Sequence, residues 1–179
     1  MERHLPSPDH TRSALQSGKH IISNAALRKY SAPIFNTGAL MHTITTLGHA
    51  DAQRAITVIQ AELSRLGKSG VIAVADASGE LLALLRLDGA PLPSITVAIN
   101  KCFTAVRERK PSGDIGKAMR EKNFHIAYFG DTRNTGFGGG LPVMVNGVPA
   151  GAVAVSGLSE DEDVKLAEMG VAAIMNPSR

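Results

Sequence analysis

Two basic side chains stand at the edges of apolar segments, where a cation can border a cleft rather than face open water. Arg86 follows the apolar run 81–85, and Lys101 lies beside the apolar stripe of an amphipathic segment. A guanidinium and an ammonium placed together suit a carboxylate, because charge-assisted hydrogen bonds are stronger than neutral ones. We therefore predict that Arg86 and Lys101 hold the acid group of a small molecule. The alternative is that both are solvated or paired with a nearby acid: Asp76, Asp88 or Glu108.

A glycine-rich segment, residues 130–141, supplies backbone that can approach a ligand closely. It is not a P-loop, because no Lys-Ser/Thr pair follows it, and Leu141 stands where a dinucleotide fingerprint needs its last glycine. Free N–H groups in such a segment can still bind an anion. Gly139 and Gly140 are therefore predicted ligand contacts, with simple turn geometry as the alternative. We expect this segment to share one hollow with Arg86 and Lys101.

Patterns for metal binding and nucleophilic catalysis are weak. No two histidines have His-x-x-x-His spacing, and no Cys or carboxylate completes a zinc set. Cys102 lies on an apolar stripe, which favours a buried small hydrophobe over a reactive thiolate. Ser156 lies in Val-Ser-Gly-Leu rather than in Gly-x-Ser-x-Gly. Proton transfer by Lys101 or His125, with Arg86 clamping the substrate, remains an alternative.

Composition limits the class of protein. The 179 residues are 44% hydrophobic and 20% charged, which is typical of one globular domain. With a single cysteine, no membrane-spanning apolar run and no signal-peptide pattern, we expect a cytoplasmic protein. Residues 1–40 hold the whole excess of basic over acidic residues, and aromatic residues are scarce. Neither feature suits nucleic-acid binding.

Periodicity places the candidate residues on elements of the first half of the chain. Apolar residues at steps of four and three predict a helix over 47–66 that ends at Gly67. The runs 71–75 and 81–85 predict a hairpin of buried strands ending near Arg86. A helix from Ile95 to about Arg109, N-capped by Ser94, would carry Lys101.

The second half of the chain repeats this alternation. A shorter helix, Asp114–Lys122 capped by Ser112, precedes the glycine segment. Asn146-Gly147 between apolar runs predicts a second hairpin, which we expect to pair with the first. A capping box at Ser159 opens a last helix. The order predicts an α+β fold, with residues 1–40 as an extension that is either an arm on a neighbouring subunit or a translated leader, and residues 41–179 as the domain.

Six motifs, in order and spacing, resemble the GlcG/HbpS family, which also supplies the C-terminal domain of PduO-type cobalamin adenosyltransferases. They extend over about 43–174. The matching segments are Ala50-Asp51-Ala52-Gln53, Val74-Ala75-Asp76 with Gly79-Glu80-Leu81, Arg86-Leu87-Asp88-Gly89-Ala90, Lys101-Cys102-Phe103-Thr104-Ala105, Gly139-Gly140-Leu141-Pro142, and Val155-Ser156-Gly157 followed by Asp163 and Ala167-Glu168-Met169-Gly170.

This resemblance implies a profilin-like sandwich with a five-stranded antiparallel sheet between helices, and a homo-oligomer. It implies haem or a corrinoid as ligand, or no settled activity, and it places an acid at Asp163 among the ligand-binding residues. The chain departs from the family pattern at Cys102 and Ala154, where Ala and Gly are usual. No shared motif carries the family's iron-ligating histidine, so His42, His49 and His125 all remain haem-iron candidates.

Our leading hypothesis is a homo-oligomeric protein that binds a carboxylate-bearing small molecule, with haem as the first candidate. In it, Arg86 and Lys101 hold acid groups, Gly139 and Gly140 approach the ligand, and one histidine binds iron. The rival hypothesis is a catabolic enzyme of the isomerase, lyase or hydrolase type that acts on a small organic acid by acid/base proton transfer. Neither requires nucleic acid or a membrane as a partner.

Overall fold

The computed structural model describes residues 42–176. Helix α1 spans His49–Leu66 and ends at Gly67, whose φ of 63° makes it the left-handed C-cap that the sequence predicts. One face of α1 is buried, with the spacing that the apolar pattern predicts. Its buried residues are Ala52, Ala55, Ile56, Ile59 and Leu63.

Two hairpins form one antiparallel sheet. Strands β1 (Val71–Asp76) and β2 (Leu81–Arg86) make the first, and β3 (Gly140–Val145) and β4 (Val148–Ser156) make the second. Their order in the sheet is β2-β1-β4-β3, with β1 paired to β4. The predicted pairing of the two hairpins is therefore confirmed.

Three further α-helices belong to the described fold. Helix α2 is Pro93–Glu108, α3 is Ser112–Lys122 and α4 is Glu160–Met175, which opens with the predicted capping box at Ser159. The predicted caps Ser94 and Ser112 are wrong, because both lie inside the first turn of their helices. Proline fits the first turn of a helix because its missing N–H is not needed there, so α2 begins at Pro93.

The sheet separates two apolar layers. Alternate residues of the central strands point to opposite faces, as the two-residue period of a strand requires. Ile72 and Val153 belong to the core under α1 and α4, whereas Ala73 and Ala154 belong to the core under α2. The α+β class with an antiparallel sheet flanked by helices is therefore confirmed.

The five strands expected from the family resemblance are wrong for the described residues, where the sheet has four strands. The segment between α3 and β3 forms a short 3-10 helix, Ile126–Phe129, and then a loop. Side chains accept hydrogen bonds from the backbone of this segment. The Ala127 N–H donates to His125 Nδ1, Asp131 accepts from the Arg133 N–H, and the Thr135 N–H donates to Thr104 Oγ1.

The predicted extension at 1–40 lies outside the described residues, so the division at residue 41 stays a prediction. No helix within 42–176 is both long and apolar enough to cross a bilayer.

Candidate functional site

Lys101 and Asp163 form a buried ion pair between α2 and α4. The Lys101 ammonium donates to Asp163 Oδ2 and to the carbonyl of Val155, both at 2.8 Å. The side chains are only 3% and 4% exposed. Asp163 therefore replaces Asp76, Asp88 and Glu108, the partners considered from the sequence.

The Asp163 carboxylate is held from both sides. Its second oxygen, Oδ1, accepts the N–H of Leu158 at 3.2 Å, from the turn that joins β4 to α4. Burial raises the pKa of Asp163, and the hydrogen bond from Lys101 opposes this shift without cancelling it. Asp163 consequently gains a proton at a higher pH than a solvated aspartate would.

Lys101 is buried although it lies off the apolar stripe of α2. That stripe, which includes Ala98 and Cys102, packs on the sheet. The glycine-rich segment covers the neighbouring face of α2, where Thr104 accepts the Thr135 N–H at 2.9 Å. Both faces of the C-terminal half of the helix are therefore covered by protein.

Glycines make this covering possible. Gly139 has a φ of 104°, and a Cβ built there would lie 2.9 Å from Lys101 Nζ and 2.6 Å from Asp163 Cβ. A Cβ on Gly140 would lie 2.5 Å from the carbonyl oxygen of Lys101. Ser112 Oγ fixes the segment, because it donates to the Phe137 carbonyl at 2.6 Å and accepts from the Gly140 N–H at 3.0 Å. Gly139 thus approaches the ion pair and Gly140 approaches the backbone of Lys101, and contact of either glycine with a ligand stays a prediction.

An open pocket of about 320 Å³ borders the ion pair, and we name it the Lys101 pocket. Its walls come from the start of α2, the glycine segment, the end of β4 and the first turn of α4. The lining residues are Pro91, Ser94, Val97, Lys101, Phe137, Gly138, Ser156, Gly157, Leu158, Glu160 and Asp163.

Sequence reasoning missed several residues of this pocket. Ser94, Val97 and Lys101 line it together, and their spacing of three and four residues places them on one helical face. That spacing was a signal that could have found them. Ser156 and Glu160 reach the pocket from β4 and α4, a juxtaposition that no local pattern gives.

Arg86 does not lie in the Lys101 pocket, so the predicted single hollow is wrong for this residue. It is exposed and borders a separate hollow with Gln60, Ser69 and Asp88. The topology explains the separation, because Arg86 pairs with Val71 of β1 and Val71 pairs in turn with Ser156 of β4. Arg86 is therefore two strand spacings from the pocket, roughly 10 Å across the sheet.

The three candidate histidines are exposed, and none lines the Lys101 pocket. His49 borders another hollow, of about 510 Å³, which we name the His49 hollow. It lies between the start of α1 and the end of α4, and is lined by His49, Ala50, Gln53, Arg54, Thr57, Val58, Ala173 and Asn176. His125 accepts the Ala127 N–H through Nδ1 at 3.1 Å. No group of three or more metal-ligating side chains occurs within 42–176.

Cys102 has the environment of a structural residue. Its thiol is fully buried and contacts the carbonyl of Ala73 at 3.3 Å. Burial raises its pKa well above the ordinary thiol value, which disfavours the nucleophilic thiolate. The interpretation of Cys102 as a small core residue agrees with this geometry.

Known proteins are similar to this chain in sequence and in fold. An uncharacterized 15.0 kDa protein from the dhaT-dhaS intergenic region of Citrobacter freundii is 32% identical over 127 residues, covering 70% of this chain and 89% of that protein. Protein GlcG of Escherichia coli K12 is 34% identical over 116 residues, 65% of this chain and 85% of GlcG. A crystal structure of a Streptomyces reticuli HbpS double mutant has a TM-score of 0.70 at 28% identity, covering 80% of this chain and 97% of that chain.

The resemblance noted from the six motifs is therefore confirmed. The family model described as "Haem degrading protein HbpS-like" matches residues 47–172, which are most of the chain and include Lys101, Asp163 and the glycine segment. This protein is a member of the HbpS-like family.

Proposed function

We propose that this protein binds a carboxylate-bearing small molecule in the Lys101 pocket. The observation that carries the proposal is the incomplete hydrogen bonding of the Lys101 ammonium. Two of its three N–H donors are used, by Val155 and Asp163, and the third has no acceptor within residues 42–176. A buried donor without a partner costs free energy, and a ligand oxygen in the adjoining pocket would remove that cost.

The electrostatics of the pocket favour an anionic group at this point. Asp163 offsets the charge of Lys101, so the pair is formally neutral. The pocket also lies against the first turn of α2, at Ser94, which holds no acidic residue, whereas the first turn of α4 holds four acids of its own. Helix N-termini carry partial positive charge and unpaired N–H groups, which stabilise a carboxylate.

Filling the pocket without disturbing the ion pair tests this proposal. Val97→Trp places a bulky side chain in the pocket from a half-buried position, whereas Thr96→Trp adds the same bulk at an exposed neighbour outside the lining. Sodium propionate is titrated into the full chain, and amide NMR shifts are followed. We expect saturable shifts at Gly138 and Gly157 in the parent and in Thr96→Trp, and their loss in Val97→Trp. Equal response of all three proteins would refute the site.

Haem is the first candidate ligand of the whole protein, because family membership supports a haem-related small-molecule-binding role. The Lys101 pocket does not fit its iron. No histidine of residues 42–176 lines it, and its volume of about 320 Å³ is near the lower end for small-molecule sites, roughly 300–1,000 Å³. The pocket suits a small acid.

The His49 hollow fits haem better. It is larger, at about 510 Å³, and offers an exposed imidazole beside a guanidinium, Arg54. Arg54 pairs with Asp51, while its buried Nε has no hydrogen-bond partner within 42–176. We therefore propose His49 as the iron ligand and Arg54 as the partner of a haem carboxylate. Bound haem would supply an iron centre for redox chemistry.

His125 is a poorer iron ligand in this conformation. With Nδ1 accepting a backbone N–H, the neutral ring carries its proton on Nε2, so neither nitrogen has a free lone pair. His42 is exposed and stays a candidate by residue type alone. The difference between His49 and His125 gives the haem proposal a matched pair of variants.

Titration with hemin, followed at the Soret band, tests the haem proposal. We expect a saturable shift with the parent and with His125→Ala, and at least tenfold weaker binding by His49→Ala. A parent protein that gives no saturable shift would remove haem from consideration. A loss in His125→Ala with retention in His49→Ala would move the iron ligand to the other histidine.

The proton-transfer alternative gains no support from the described residues. Lys101 is fixed by two acceptors, and both His125 and Arg86 lie outside the Lys101 pocket. An acid or base must reach the proton that it transfers, and these three groups do not meet around one substrate position.

A further inference from the structure

Two serines whose side chains make no hydrogen bond within 42–176 line the Lys101 pocket. Ser94 is 7% exposed and Ser156 is 5% exposed, and both line the pocket. Neither hydroxyl makes a hydrogen bond to another residue in the described range 42–176. The buried side-chain atoms without a partner in this range are Arg54 Nε and Asn134 Oδ1, so the two serine hydroxyls are open to the pocket and available to donate to a ligand.

The fold brings both serines to the same part of the pocket wall. Ser156 continues the alternation of Ala152 and Ala154, whose side chains lie in the core under α2. Ser94 stands in the first turn of that helix, and its Oγ is 3.5 Å from a Cβ built on Gly157, the residue after Ser156. The two serines therefore meet where the end of β4 passes the start of α2.

We infer that Ser94 and Ser156 form, with the third N–H of Lys101, a three-donor cradle for one carboxylate group. This inference rests on the proposed function and adds the residues that recognise the acid. Two hydroxyls and an ammonium supply three donors to the two oxygens of a carboxylate, which together accept up to about four hydrogen bonds. Charge assistance makes each of these bonds stronger than a neutral one.

Glu160 restricts the class of acid that the cradle accepts. Its side chain lies over Gly138 at the mouth of the pocket, with Oε1 2.6 Å from a Cβ built on that glycine. Like charges repel, so a ligand with a second carboxylate would meet an unfavourable field at the mouth. The ligand class is therefore a small monocarboxylate, and dicarboxylates are disfavoured by an exposed residue that takes no part in the ion pair.

The test compares propionate with malonate at neutral pH, using the full chain and amide NMR titration. We expect Ser94→Ala and Ser156→Ala each to weaken propionate binding about tenfold, as loss of a hydrogen bond to a charged group does. Ser78→Ala, an exposed turn serine, is the matched control and should bind as the parent does. Thermal unfolding of each variant verifies that the fold is kept.

Malonate, a dicarboxylate, tests the role of Glu160. The parent should bind malonate several-fold more weakly than propionate, and Glu160→Gln should strengthen malonate binding more than propionate binding, so that most of that difference disappears. If the parent binds propionate but the serine variants bind it equally well, the cradle is wrong and the pocket stands. If the parent binds neither acid, the proposed function itself is wrong.

Discussion

The Lys101 ammonium lies 2.8 Å from Oδ2 of Asp163, although 62 positions separate the two residues in the chain. The contact fastens the middle of α2 to the first turn of α4, and the same ammonium also binds the Val155 carbonyl at the end of β4. Three elements that bound the Lys101 pocket are thus held by one side chain. The stability of the fold and the shape of the candidate site therefore depend on the same pair.

Removing one partner of this ion pair should lower the stability of the fold. Asp163→Ala leaves a buried ammonium without its anion, and we expect the free energy of unfolding to fall by about 3–5 kcal/mol. The double variant Lys101→Met/Asp163→Leu should lose less free energy of unfolding than the single variants Lys101→Met and Asp163→Leu lose together, because it leaves no unpaired charge. Urea unfolding measures both.

The matched control for the ion pair is Lys117 with Glu121, an exposed pair on α3. Lys117→Ala should change the free energy of unfolding by less than about 1 kcal/mol, because solvent screens exposed pairs. An equal effect of Asp163→Ala and Lys117→Ala would contradict a structural role for the buried pair.

Gly139 should tolerate no side chain. Its φ of 104° lies in the region that favours glycine, and a Cβ there would overlap Asp163 and the Lys101 ammonium. Gly147→Ala is the control, because that glycine has a φ of 78° and a Cβ built there would have no neighbour from residues 42–176 within 4 Å. We expect Gly147→Ala to lose about 1 kcal/mol for backbone strain, and Gly139→Ala roughly 1–3 kcal/mol more for overlap. Thermal or urea unfolding measures both losses, and a larger loss for Gly147→Ala than for Gly139→Ala would contradict this prediction.

The Cys102 thiol should be unreactive in the native protein. Burial raises its pKa, so at pH 8 almost no thiolate is present and no reagent reaches the sulfur. We expect iodoacetamide to label the native chain at least a hundredfold more slowly than the urea-unfolded chain. Mass spectrometry gives a direct readout because the chain has one cysteine. Comparable labelling rates in the two states would show that this part of the core is open.

Glu162 should contribute to stability at neutral pH and lose that contribution in acid. Hydrogen bonds from Lys68 and Ser159 lower its pKa from 4.5 to about 2. Because the folded state holds the carboxylate ionised, the stabilisation is complete above pH about 4.5 and disappears as the pH falls through about 2. Urea unfolding between pH 2 and pH 7 should show a shallower acid decline for Glu162→Gln than for the parent. Parallel curves would mean that the capping box adds nothing through this charge.

The sequence by itself determined the local structure of this protein. The apolar steps of α1, the left-handed Gly67, the Asn146-Gly147 turn and the capping box at Ser159 each depend on neighbours within a few residues. Such patterns depend on local sequence alone, which is why the elements and their α+β order could be predicted. The six spaced motifs also identified the family from the sequence alone.

Only the tertiary structure decided which of these elements meet. Lys101 was a reasonable candidate from sequence, but its partner Asp163 and the burial of both depend on a loop and a helix distant in the chain. Arg86 was predicted from the same kind of pattern, but the order of strands in the sheet places it in another hollow. Ser94 and Ser156 gave no chemical signal beyond capping or nucleophile patterns. Long-range pairing sets such distances, and no local period encodes them.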